Sequence, residues 1–276
     1  ATTFTKLAAG ELKERVRGAL IEAGQLQVAN QMEQALIGTV NSVCGELLHR
    51  FAFEAGMPPD QQVIEESQGD ALFYQAMECA LADNTLLIRQ MNATCHRLQI
   101  TDRQQQLNWR AEVKSIADAA RANNQSPDDL RHLGKDSADQ LLALFPKATT
   151  RDLNRQLLNT IEQAMDGIDT TVDSTKVTRE YLSLISGIRA GLYKERATWP
   201  EWITLSKKMP GKKSRPFAEP IADIAIDYAK HPALHRDIRF FAEQAFAIAA
   251  DSLSAYQQLK TQKGLIDFVD QEQRLY

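Results

Sequence analysis

Between Arg189 and Arg215 eight lysines and arginines stand against two acids, with Trp199 and Trp202 among them. Cations interleaved with aromatics suit a phosphate backbone, the charges displacing counterions while a flat ring packs on a sugar or an end base pair. Lys207, Lys208, Lys212, Lys213 and Arg215 carry that expectation. The plainer reading is a solvated loop whose tryptophans anchor it to a core. Asp227, His231 and His235 recur every four residues, which could set a carboxylate and two imidazoles on one helical face for a metal. Pro232 lies between the histidines and predicts a break there, so surface or capping histidines are expected instead. Cys44 with His49 and Cys95 with His96 have spacings that do not meet on a helix, so nucleophilic catalysis is not expected. Gly134-Lys135-Asp136 and Gly211-Lys212-Lys213-Ser214 contain Gly-Lys but lack the upstream glycine, the next-residue hydroxyl and the preceding strand of a phosphate loop. No cofactor is therefore expected within this segment.

The scaffold behind these residues reads as mostly α. Apolar residues recur at three and four positions, as in Leu7, Leu12, Val16 and Leu20, and again in Leu153, Leu157, Leu158, Ile161 and Met165. Thr101-Asp102 is expected to open a polar helix ending near Asn123, Ser126-Pro127-Asp128-Asp129 a second, and Ser137 and Thr150 two more. Gly24, Gly56, Gly134 and Gly264 are expected to end helices. The longest helix is predicted over 233–263, with Ile238, Phe241, Ala245, Ile248, Ala249, Leu253 and Tyr256 on one face. Leu36 to Val40 alone reads as a short buried strand. A lone strand cannot satisfy its own backbone, so it pairs either with the residues before Lys6 or with a sheet outside this sequence. In the latter case it would be irregular or lie at an exposed edge. Thr198 to Pro220, with its prolines, reads as a loop.

Apolar residues make up 43% of the 276 and charged residues 25%, which excludes disorder as the main state. No apolar run is long enough for a membrane span, the first residues do not form a signal peptide, and the three cysteines suit reduced buried thiols, so the chain reads as cytoplasmic. A net charge of −4 shows that any nucleic-acid affinity must come from local charge and not from the sum.

Three further blocks bear on function. Thr3-Phe4-Thr5-Lys6-Leu7-Ala8-Ala9-Gly10-Glu11-Leu12 resembles the Thr-Phe-Thr-Asn/Lys-x-Ala-Ala-x-Glu-Leu segment of UvrD/Rep/RecB/AddA DNA helicases. Ile37-Gly38-Thr39-Val40-Asn41-Ser42-Val43-Cys44, followed by Leu47-Leu48-His49-Arg50-Phe51 and Glu54-Ala55-Gly56, resembles their Ile-Gly-Thr-Ile-His-Ser-Phe-Cys block. Tyr256, Lys260, Gly264, Leu265 and Asp267-Phe268-Val269-Asp270 are similar to the stretch leading back into the motor before its magnesium-binding strand. Each block alone is weak; their order and spacing make them stronger.

The resemblance implies a helical insertion subdomain of a superfamily 1 helicase, with flanking fragments of an α/β motor domain. Residues 1–56 would be an N-terminal motor fragment, 57–255 the insertion and 256–276 the return. The phosphate loop and the acidic strand would lie outside the sequence, so ATP and magnesium are expected for the parent protein alone. Thr3, Phe4, Thr5 and Lys6, with Thr39, Asn41 and Ser42, would face DNA at two strand-to-helix junctions, where hydroxyls, amides and free helix N–H groups hold phosphates. Asn41 and Val43 replace the usual His and Phe, which keeps a polar contact and removes an aromatic one. The parent would be an ATP-dependent DNA helicase moving 3′ to 5′ in repair or recombination. Its expected partners are single-stranded and duplex DNA, the rest of the motor, and a nuclease domain or subunit. The rival reading is a helical protein-interaction module with no nucleic-acid role.

Overall fold

Helix caps explain most of the chain's punctuation. In the computed structural model, which describes residues 1–54, 56, 61–102 and 104–275, the order is β1 (Thr2–Thr3), α1 (Lys6–Glu22), α2 (Leu26–Asn30), β2 (Gly38–Thr39), α3 (Val40–Arg50), β3 (Gln62–Val63), α4 (Glu66–Leu81), α5 (Thr85–Leu98), α6 (Trp109–Ala122), α7 (Pro127–Ala143), α8 (Leu153–Gly167), α9 (Lys176–Tyr193), α10 (Trp199–Leu205), α11 (Arg215–Ala225), α12 (Pro232–Lys263), β4 (Leu265–Ile266) and α13 (Phe268–Leu275). Short 3-10 turns occupy Gln31–Gln34 and Ile226–Lys230. Ala55 of the second family block, residue 57 at the expected subdomain boundary and Tyr276 lie outside the described residues.

Ser126 and Asp129 form a reciprocal capping box at α7, with Pro127 in the first turn, as the sequence predicts. α12 starts at Pro232, one residue from the expected start, and six of the seven expected core positions, Ile238, Ala245, Ile248, Ala249, Leu253 and Tyr256, are buried along it. Other expectations need correction. Thr101-Asp102 opens no helix; the Asp102 carboxylate accepts the N–H groups of Gln104 and Gln106 at 2.9 and 3.0 Å, a side-chain-held turn, and α6 waits until Trp109. Ser137 lies inside α7, and Asp152, not Thr150, caps α8. The span 198–220 is largely helical. Pro200 and Pro216 occupy first turns, where a missing N–H costs nothing, and only 206–214 remains between α10 and α11.

The chain divides into two compact units, Ala1–Ala76 with Arg121–Asn124 and Ser254–Tyr276, and Met77–Ala120 with Gln125–Leu253. In the first, β1 pairs in parallel with β2 and β3 with β4, each a two-residue ladder. The strand expected at 36–40 is thus reduced to Gly38–Thr39, half-buried, and it does pair with the first segment. Leu48 of α3 and Ile266 of β4 form a small core. In the second unit Leu153, Leu157, Ile161 and Ala164 make the buried stripe of α8, against Tyr181, Ile185 and Ile188 of α9 and Ala218, Ile221 and Ala225 of α11. Each fully buried Leu or Ile contributes about 1.5–3 kcal/mol.

Gly134 does not end a helix. It sits inside α7 because α12 passes so close that an added Cβ would lie 2.7 Å from Phe246 Cβ and 3.2 Å from its Cγ. Gly134→Val should therefore lower stability by about 1–3 kcal/mol through overpacking, measured by urea unfolding. A neutral effect would show that the two helices can separate freely.

Candidate nucleic-acid interface

Thr5 adopts extended backbone, and its Oγ1 accepts the Ala8 N–H at 3.1 Å, which starts α1. Thr39 does the same for α3, accepting the Ser42 N–H at 3.2 Å. Both residues are thus helix caps. The register Thr2↔Gly38 and Thr3↔Thr39 then sets the junctions side by side, since parallel strands run about 4.8 Å apart in the same direction. Two helix N-termini, each with N–H groups that lack intrahelical acceptors, emerge from one edge. Thr3 Oγ1 donates to Thr5 O at 3.0 Å, and the Thr39 and Ser42 hydroxyls satisfy each other and Thr39 O. Phe4 is 98% exposed, Thr5, Lys6 and Ser42 are exposed, and Asn41 is half-buried. The sequence-predicted residues of these two blocks are therefore brought together.

The basic segment stands in the second unit. Lys207, Lys208, Lys212, Lys213 and Arg215 are all exposed, on the link 206–214 and the first turn of α11. Its tryptophans face inward, which overturns the expectation that they could pack on DNA. Trp202 is 1% exposed, and Trp199 Nε1 donates to the buried Asp237 carboxylate at 2.9 Å. Asp237 also takes two guanidinium bonds from Arg97, at 2.8 and 2.6 Å. Tyr193 within the segment, 63% exposed, and Phe217 just beyond it, 42% exposed, do face solvent, and the sequence reading missed both because single aromatics carry no pattern.

The third block builds a buried ionic cluster. Lys260, with 0% exposure, reaches Asp267 Oδ2 at 3.0 Å and also bonds Asp270, while Arg121 meets the same two carboxylates at 2.5 and 3.3 Å. Tyr256 donates to Asp267 at 2.8 Å. Burial pushes the Asp267 carboxyl up, but the Lys260 and Arg121 charges outweigh it and hold it at about 2. Burial, with the Asp267 charge beside it, raises the Tyr256 phenol. Tyr-x-x-x-Lys and Asp-x-x-Asp are thus the two halves of one cluster.

The expected decoys resolve on geometry. Asp227 pairs with Arg151 and Lys230, and His235 Nε2 meets Ala229 O at 2.9 Å. His231 caps α12, accepting the Ala233 N–H on Nδ1 at 3.0 Å, but it is buried and not on the surface; burial, then the Arg236 charge, lowers its pKa to about 4. No cluster of metal-ligating groups occurs among the described residues. Cys95 is buried and Cys44 partly so, whereas Cys79 is exposed, against the expectation of three buried thiols.

The chain is thus mostly helical, with two capped strand-to-helix junctions side by side in one unit and an exposed cationic segment in the other. The family profile described as UvrD/REP helicase N-terminal domain matches residues 1–275. The chain belongs to that family. It is 35% identical over 77 residues, 28% of its length, to the ATP-dependent DNA helicase SRS2 of Saccharomyces cerevisiae, of which this covers 6%. It is 36% identical over 84 residues, again 28% of the chain, to an ATP-dependent helicase/nuclease subunit of Pelotomaculum thermopropionicum, of which this covers 7%. The matched part of each curated relative is thus a small fraction of its length. No helix among the described residues is long and apolar enough to cross a membrane.

Proposed function

We propose that this chain is the DNA-contacting segment of an ATP-dependent DNA helicase, with residues 1–56 and 256–276 as flanks of the motor domain and the span between as its helical insertion. Thr3, Phe4, Thr5, Lys6, Thr39, Asn41 and Ser42 hold a single strand. Lys207, Lys208, Lys212, Lys213 and Arg215 track a duplex backbone. The segment itself does not hydrolyse ATP, because the phosphate loop and the magnesium-binding acids belong to other parts of the parent protein. Family resemblance supports a 3′ to 5′ motor in repair or recombination, and the helicase/nuclease relative supports a partnering nuclease domain or subunit.

The observation that carries the reading is the side-by-side placing of two capped junctions with Phe4 projecting beside them, 98% exposed. A phenylalanine in contact with solvent on every side contributes almost nothing to folding, so its removal separates binding from stability. Phe4→Ala should leave the melting temperature unchanged and weaken oligothymidylate binding, followed by fluorescence anisotropy, by about 5- to 100-fold, the loss of one base-aromatic stack. Equal affinity in the variant would refute a stacking role for this junction.

A further inference from the structure

The link 206–214 carries four lysines, yet it is not free chain. Gly211 N–H donates to the buried Thr178 Oγ1 at 2.9 Å, Lys213 Nζ to Val172 O at 3.1 Å, and Ser214 Oγ to Asp173 Oδ2 at 2.8 Å. Asp173, 3% exposed, also takes the Thr175 hydroxyl at 2.8 Å, and the hydroxyls of Ser214 and then Thr175 hold its carboxyl at about 2. A Cβ on Gly211 would stand 2.7 Å from Asp173 Oδ2 and 2.8 Å from Thr175 Oγ1, so the approach itself calls for glycine. Its partners are hydroxyls and an N–H, and none is a cation. A buried charge held this way is expensive to desolvate, and an apolar contact would hold two loops together at lower cost. What the carboxylate supplies is one acceptor shared by two segments, taking Ser214 at the end of the link and Thr175 at the cap of α9.

We propose that Asp173 is a positioning residue, which locks the basic link onto the start of α9 so that Lys176 joins Lys212, Lys213 and Arg215 in one pre-ordered surface for a DNA backbone. The proposal rests on the reading of the basic segment as a DNA contact. Lys176 is the first residue of α9, its side chain is 85% exposed, and its loose pairing with Glu180 at 3.7 Å yields readily to a phosphate. Ordering lysines before binding removes an entropic cost from association, because each long side chain and its loop would otherwise be fixed only at contact.

The test uses the 276-residue chain, a hairpin duplex and four variants. Asp173→Asn keeps the size of the side chain and removes the charge. It should speed tryptic cleavage after Lys207, Lys208, Lys212 and Lys213 at least tenfold and weaken duplex binding 5- to 20-fold, while the slope of log affinity against log salt stays within one unit of the parent, because the same cations still reach phosphates. Lys176→Gln should do the reverse, leaving cleavage unchanged and flattening the slope by about 0.9. Should Asp173→Asn fail to fold, Ser214→Ala decides, since it removes one bond of the same latch; a two- to threefold loss of affinity with faster cleavage is expected. Unchanged affinity and cleavage in a folded latch variant would overturn the positioning role, and an unchanged slope in Lys176→Gln would remove that lysine from the surface. Replacing the five basic-segment cations with glutamine tests the underlying reading separately. If that variant loses affinity and the latch variants do not, only the latch falls.

Discussion

Lys260→Met should lower the unfolding free energy by about 3–5 kcal/mol, the range for removing one partner of a buried ion pair. Methionine fills nearly the same space, so the loss is electrostatic and not a cavity. The ammonium is 0% exposed and serves two carboxylates, and without it Asp267 and Asp270 share the single Arg121 guanidinium. The effect also has a pH signature. The folded pKa of Asp267, about 2, lies below its ordinary 3.8, so its contribution is complete above about pH 4 and disappears as pH falls from there through 2. In Lys260→Met the carboxyl loses its strongest attraction and its folded pKa moves back up, so this acid-dependent loss is reduced, and the deficit relative to the parent should be largest at pH 7 and shrink as pH falls to 3. Urea midpoints at pH 7, 4 and 3 check both statements. A loss under 1 kcal/mol would mean that the cluster is open to water.

Replacing Lys207, Lys208, Lys212, Lys213 and Arg215 together with glutamine should flatten the salt slope for duplex DNA by about 2–4 units, since each cation on a phosphate adds about −0.9 and not all five face the backbone. All five are exposed, so the melting temperature should move little; only Lys213, through its bond to Val172 O, has a visible structural role. Sequence preference should stay as it was, because phosphate contacts position a protein without reading bases. A folded variant with undiminished affinity and slope would return the segment to a solvated link and leave the two junctions as the candidate DNA-facing groups.

Local chemistry made much of the fold legible. The Ser126 capping box, the proline at the start of α12 and the Thr5 and Thr39 caps each depend on residues within one turn of each other, and their signals are contained in the sequence. Side-chain direction was not. A run of lysines with two tryptophans has the same composition whether the rings face water or the core, and for Trp199 a bond to Asp237, 38 residues away, decided between them. Gly134 misled for a similar reason: glycine signals either a helix end or a close approach, and the approach is made by Phe246 on another helix. The Asp173–Ser214 bond spans 41 residues and the Arg121–Asp267 pair 146, so periodicity could reveal neither. The family blocks located the junctions but not their pairing, which only the register of β1 against β2 supplies.

Photocrosslinking tests the DNA-facing role most directly. The chain would be irradiated with a hairpin duplex bearing a single-stranded tail, bromodeoxyuridine placed in one part or the other, and the crosslinked peptides mapped. The tail should mark peptides within 1–9 and 38–46, with Phe4 prominent, and the duplex should mark 206–217. Crosslinks confined to other surfaces, or none at saturating DNA, would contradict the assignment of this chain as a DNA-contacting segment.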